Sequence, residues 1–192
     1  MSTPTTNTTT TDPTPAPAPA PAPEPTDAQI AAHLTHLLRT RAPLSPLYDL
    51  LISGAGARIV RATRGAFAAR LTLSRAHLNS AGTLHGAASA ALVDWAGGMA
   101  VATTMISPDA TGTGVSLDIH VRYLAASARE GDVLEVRGTA DRVGGRVAFT
   151  SVGIWKVLGG KGEGEGEGKG DGKGEEWEMV ASGTHTKYIK QR

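Results

Sequence analysis

Residues 79–106, N-S-A-G-T-L-H-G-A-A-S-A-A-L-V-D-W-A-G-G-M-A-V-A-T-T-M-I, constrain the fold more than any other stretch. From about Leu84 they read as one long helix, free of proline and rich in the strong helix former alanine. Ala88, Leu92, Trp95, Met99 and Ile106 fall along one face, and Val93, Val101 and Met105 put apolar groups on the others. A helix apolar nearly all round has to be buried, here inside a sheet that wraps it. The small residues Ala87, Ala90, Ala91, Gly97 and Gly98 let strands approach its axis. One charge interrupts the helix, Asp94. Aspartate is a poor helix former and a bare carboxylate is costly to bury, so Asp94 needs a partner or a chemical task.

The flanking sequence supplies the wrapping. Residues 1–27 are Thr, Pro and Ala with almost no large apolar side chain, which predicts an extended, disordered tail ahead of one domain over 28–192. The first Lys or Arg is Arg39, so the tail has neither the basic start of a secretory signal nor the arginines of a usual organelle transit peptide. Ile30, Leu34, Leu37 and Leu38 mark a short amphipathic helix, with Thr26 or Asp27 as its N-cap and Pro43 and Pro46 ending it. Residues 57–63 and 66–73 flank an Arg64-Gly65 turn and predict a hairpin. Val115, Leu117, Ile119 and Val121 alternate with Ser116, Asp118, His120 and Arg122, the pattern of a half-buried strand. Residues 133–143 and 146–158 flank Gly144-Gly145, a second hairpin signal, and residues 177–189 form the last strand. The glycine and charge alternation of 159–176 cannot bury a core and reads as a flexible loop inserted between two strands. It matches no phosphate-binding motif. The expectation is an α+β domain, a meander of strands curled round one helix.

Composition excludes several functions. The 192 residues carry a net charge of +1, which shows no preference for nucleic acid or anionic membrane. No uncharged apolar run reaches the roughly 20 residues of a membrane span. With no cysteine there is no disulfide and no thiolate chemistry, which fits an intracellular protein, cytoplasmic or mitochondrial. His33 and His36 share a helix side but lack a third ligand, so they read as a solvated face, and no metal or other cofactor is expected.

The candidate chemistry lies around the long helix, at Asn79, His85, Gly86, Asp94 and Ser116. From His85 to Asp94 is roughly 13 Å along a helix axis and about half a turn of it, so both cannot reach one substrate atom within one chain. If they serve one reaction, two chains supply them, as in an isologous dimer with two equal sites. Free N–H groups at a helix start, here at Gly86, stabilise an oxyanion on a carbonyl. A carboxylate activates water or attacks directly, with Asn79 and Ser116 placed to orient the water or carbonyl. That combination is acyl transfer to water, and a thioester suits it because its thiolate leaves easily.

Residues 79–94, G-V-S-L-D-I-H-V-R-Y-L (114–124), G-G-R-V-A-F-T-S-V (144–152) and A-S-G-T-H-T-K-Y (181–188) together resemble the hotdog-fold acyl-CoA thioesterases, most closely the thioesterase superfamily member 2 branch. The resemblance implies a hotdog fold, with a long central helix wrapped by a curved antiparallel sheet, and hydrolysis of fatty acyl-CoA to fatty acid and coenzyme A. It also implies a homodimer, commonly paired into a homotetramer, with sites at the dimer interface. By position, Asn79, His85 and Gly86 would come from one chain and Asp94 and Ser116 from the other. Asp94 would be nucleophile or general base, and the Gly86 N–H would polarise the carbonyl. Coenzyme A would lie along Tyr123, Ala128, Arg142, Gly144, Arg146, Val147 and Tyr188, with Arg129 and Lys187 as further phosphate partners by charge. This chain departs from the family in having Ala87 where a second glycine is usual, and Arg129 one place beyond a usual lysine. A binding module of the same fold without turnover is one alternative. A hotdog dehydratase or hydratase, with His85 or His120 as acid or base, is another.

Overall fold

Thr26 caps the first helix, α1 (Asp27–Thr40), in a reciprocal box with Gln29, and α1 buries Ile30, Leu34, Leu37 and Leu38 as the periodicity predicts. The computed structural model describes residues 23–106, 113–159 and 176–189. The expected tail up to residue 22 and the insert residues 160–175 lie outside the described residues. After α1 the chain makes a 3-10 turn (Ala42–Leu44), a helical turn (Pro46–Tyr48) and one wide turn (Asp49–Ser53). Then follow β1 (Arg58–Thr63), β2 (Ala66–Thr72), the central helix α2 (Gly86–Ala102), β3 (Val115–Tyr123), β4 (Val133–Gly144), β5 (Val147–Leu158) and β6 (Glu176–Tyr188).

The sheet is antiparallel throughout with strand order β1-β2-β4-β5-β6-β3. Both predicted hairpins are present, the second turning at Gly145-Arg146 and not at Gly144-Gly145, but the strands do not form a simple meander. β3 pairs with β6 at the far edge, and the connection from β3 to β4 crosses back over the sheet. Strand alternation carries no information about which neighbour a strand chooses, so this crossover was not legible in the sequence.

α2 lies against the sheet with Leu92, Val93, Ala96 and Ala100 fully buried. Close approach depends on missing side chains at two points. A Cβ on Gly183 of β6 would stand 2.8 Å from a Val93 methyl, and one on Gly97 would stand 2.5 Å from the His185 ring. Trp95 packs edge-on against Phe67 of β2, ring centroids 5.8 Å apart, which sets the rotation of the helix around Asp94. The helix is shorter than expected. It starts at Gly86, with His85 as N-cap, and ends at Ala102, so Met105 and Ile106 lie beyond it. Thr103 and Thr104 turn their hydroxyls back onto the carbonyls of Ala100 and Val101, which competes with another helical turn.

β3 also differs from its expected half-buried state. Val115, Leu117 and Ile119 are 68%, 59% and 38% exposed, because β3 is the sheet's edge and pairs on one side only. Its pairing with β6 shifts between Ser116 and Asp118. That bulge turns Ser116 to the helix side, the face that Ile119 and Val121 share, whereas strict alternation sets Ser116 opposite them. Among the described residues no helix is long and apolar enough to cross a membrane.

Candidate active site

Asp94 sits on the least buried stripe of α2, with Ala87 and Ala90, and its side chain is 32% exposed. Both carboxylate oxygens are held. The Tyr48 hydroxyl donates to Oδ2 at 2.6 Å, and the Ser116 hydroxyl donates to Oδ1 at 3.1 Å. His185 Nε2 lies 2.9 Å from Ser116 Oγ and 3.5 Å from Asp94 Oδ1. With the Ser116 proton directed at Asp94, the Nε2–H tautomer of His185 completes a line of donors from imidazole to hydroxyl to carboxylate. Lys187, also buried, brings Nζ to 3.9 Å from Asp94 Oδ1 and 3.5 Å from His185 Nε2. It therefore belongs to the acid's surroundings and not to the exposed phosphate partners expected from its charge.

Beside Asp94 opens a cleft of about 310 Å³ whose apolar wall includes Leu37, Leu44, Trp95 and Met99. Tyr48, Asp94 and Lys187 are among its polar groups, and Arg41, Ser45 and Thr113 also line it. An apolar cleft with a few convergent polar groups is the usual form of a small-molecule site.

Burial pushes the His185 imidazole below the ordinary 6.5, the Lys187 charge adds to this, and the Asp94 charge opposes it. Burial likewise pushes the Lys187 ammonium below the ordinary lysine range, against the pull of Asp94. A histidine that binds its proton more weakly when folded leaves the unfolded chain with more protons, so stability rises with pH. This contribution is complete above the unfolded value of about 6.5 and is lost as pH falls through the lower folded value. The melting temperature is expected to fall on acidification from about pH 7 to about pH 5, and to fall less in His185→Gln. Scanning calorimetry of the two proteins checks this, and parallel curves would refute it.

The other expected residues divide into two groups. At the start of α2, His85 accepts the Ala87 N–H on Nδ1 at 2.9 Å, and the Gly86 N–H has no acceptor among the described residues. The ring of Tyr123 stands over Gly86, 3.2 Å from where a Cβ would lie. Ala128 is fully buried close by and accepts the Leu84 N–H on its carbonyl. Asn79 shapes the preceding loop: Oδ1 accepts from the Ala81 and Thr83 amides, and Nδ2 donates to Thr83 Oγ1. At the opposite end of the sheet, Arg142, Gly144, Arg146 and Val147 form the tip of the β4–β5 hairpin, beside Tyr188 of β6 and next to the Ser116–Lys187 pair. Tyr123 pairs with Ala181, whereas Val147 pairs with Tyr188, and those two β6 residues are roughly 23 Å apart at about 3.3 Å per residue. One chain therefore holds two half-sets of the expected residues and does not bring them together.

Tyr48, His185 and the buried placement of Lys187 were not anticipated. His185 and Lys187 stand in the H-T-K run at the spacing that puts both on one strand face, but Thr184 and Thr186 make the opposite face polar too. Nothing local marks Tyr48. His33, expected on a solvated face, is half-buried, and burial first and the His36 charge second lower its pKa. Among the described residues no three His, Asp or Glu side chains gather into a metal site.

A buried helix packed against an antiparallel sheet is the arrangement of a hotdog fold, here with one held carboxylate at an apolar cleft. Comparison with known proteins makes the class specific. The thioesterase superfamily profile matches residues 81–163. A Schizosaccharomyces pombe protein named "putative esterase" is 30% identical over 133 residues, covering 69% of this chain and 69% of its own. Homo sapiens acyl-coenzyme A thioesterase 13 is 28% identical over 131 residues, covering 68% of this chain and 78% of its own. The crystal structure of zebra fish thioesterase superfamily member 2 superposes with a TM-score of 0.60 at 23% identity, covering 83% of this chain and 98% of that one. The chain belongs to the thioesterase superfamily and is a thioesterase, an enzyme that hydrolyses thioesters.

Proposed function

We propose that the substrate is a fatty acyl-CoA and that Asp94 carries the chemistry. The observation behind this reading is the carboxylate itself, held on both oxygens at the mouth of an apolar cleft whose shape and lining suit an acyl chain. Asp94 takes a proton from water as the water oxygen bonds to the thioester carbon, or attacks that carbon itself to give a mixed anhydride that water then hydrolyses to the free acid. The carbonyl oxygen becomes an oxyanion, which the Gly86 N–H receives at the start of a helix. As the tetrahedral species collapses the C–S bond breaks, and the coenzyme A thiolate leaves and takes up a proton. Ser116 and Asn79 orient the water and the carbonyl.

The site is shared between two chains in this proposal. Gly86 and Asp94 are about 12 Å apart along the helix axis, so one acyl group cannot meet both within one chain. The exposed apolar edge of β3, with Val115, Leu117, Ile119, Tyr123 and Leu124, offers a surface for a second copy. Such pairing would join Tyr123 and Ala128 of one chain to Arg142, Gly144, Arg146, Val147 and Tyr188 of the other as the coenzyme A groove. The test is hydrolysis of an acyl-CoA series from acetyl to palmitoyl, with the mass measured by light scattering in parallel. Turnover that rises with chain length in a dimer or larger assembly is expected. A fully active monomer, or the absence of acyl-CoA turnover, would overturn the reading.

A further inference from the structure

Tyr48 reaches Asp94 from a part of the chain that no motif connects with the acid. Its hydroxyl lies 2.6 Å from Oδ2, within the range of a hydrogen bond to a charged acceptor. The segment that carries it is anchored. Ser45 caps the helical turn, accepting from the Tyr48 N–H at 3.4 Å, and the Gly54 N–H closes the wide turn onto Asp49 O at 2.7 Å. Fully buried His77 contacts Leu51 O through Nε2 at 2.8 Å, and its carbonyl accepts the His85 N–H. The same segment lines the cleft with Ala42, Leu44 and Ser45. Burial, followed by the hydrogen bond and charge of Asp94, holds the Tyr48 hydroxyl well above the ordinary tyrosine range, so it remains a donor at every working pH.

An aspartate carboxylate rotates easily about its last torsion, and one donor on one oxygen leaves its plane free to swing. Ser116 on Oδ1 and Tyr48 on Oδ2 fix that plane from both sides. Each carboxylate oxygen can accept more than one hydrogen bond, so these two donors do not exhaust the acid's capacity to accept from water in the cleft. We infer that Tyr48 is a positioning residue of this thioesterase, whose hydroxyl aims the Asp94 carboxylate at the acyl group seated in the cleft. The inference rests on the proposal that Asp94 acts on the thioester.

The experiment compares wild type, Asp94→Asn, Tyr48→Phe and Tyr48→Leu on decanoyl-CoA, with a thermal melt of each. Tyr48→Phe keeps the ring in the cleft and removes only the oxygen. Its kcat is expected to fall by about tenfold, the scale of one hydrogen bond to a charged group. Its KM is expected to stay within about twofold, because the lost interaction aims the acid and does not bind substrate. Tyr48→Leu, which also removes the ring, is expected to raise KM as well. A full kcat in Tyr48→Phe beside an inactive Asp94→Asn would overturn the role of Tyr48 and leave Asp94's intact. An Asp94→Asn protein as active as wild type would instead overturn the proposal on which the inference rests. A rise in KM or a fall in melting temperature in Tyr48→Phe at unchanged kcat would assign Tyr48 to packing alone and overturn the inference.

Discussion

Asp94→Asn is expected to leave a folded protein that hydrolyses acyl-CoA roughly 10³-fold more slowly, within the ~10²–10⁴-fold range for loss of a general base. The substitution is nearly isosteric, and the hydroxyls of Tyr48 and Ser116 can each turn to accept from the new amide, so the local network survives. Only the charge and the basic oxygen are lost. Some stability is lost too, because Lys187 is buried and Asp94 is the carboxylate closest to it in this cluster. Since Asp94 is about one-third exposed, that cost is smaller than for a fully buried pair. Steady-state kinetics and a thermal melt check both parts. Equal rates in variant and wild type would remove Asp94 from the mechanism.

Gly97→Ala is expected to lower stability and activity together, against the local trend. In an isolated helix the change favours the folded state by up to about 1 kcal/mol. Here the new methyl would lie 2.5 Å from His185 Nδ1, 2.9 Å from His185 Cβ and 2.9 Å from Thr150 Oγ1. His185 Cβ is fixed to the backbone of β6, so rotation of the ring alone cannot relieve the contact. Overpacking of this kind costs about 1–3 kcal/mol, which outweighs the helical gain. Moving β6 also draws His185 away from Ser116 Oγ and loosens the donor on Asp94 Oδ1. The expected result is a lower melting temperature with a kcat reduced by at least about tenfold. A more stable and fully active Gly97→Ala would mean that helix and sheet stand farther apart than described.

The central helix and its acid were legible because both are local. An all-round apolar pattern needs no knowledge of the partner that buries it, and a charge inside that pattern is conspicuous wherever the helix packs. The α1 cap and the two hairpins were legible for the same reason: Thr26, Arg64-Gly65 and the Gly144-Gly145 signal act over a few residues, although the second turn is Gly145-Arg146, one residue later than expected. The helix end was misjudged because Met105 and Ile106 continue the apolar spacing, while the back-bonding of Thr103 and Thr104 is a competition that spacing does not register.

The sequence alone determined that a buried helix bears a carboxylate requiring partners, and that hairpin-linked strands surround it, since periodicity and turn chemistry operate between near neighbours. Tertiary structure decided which groups those partners are. It set β3 beside β6, turned Ser116 inward through a bulge, and brought Tyr48 to the acid from 46 residues upstream and His185 to Ser116 from 69 residues downstream. Such contacts depend on strand order and on the close approach of helix to sheet, and neither is encoded within any single stretch of the chain.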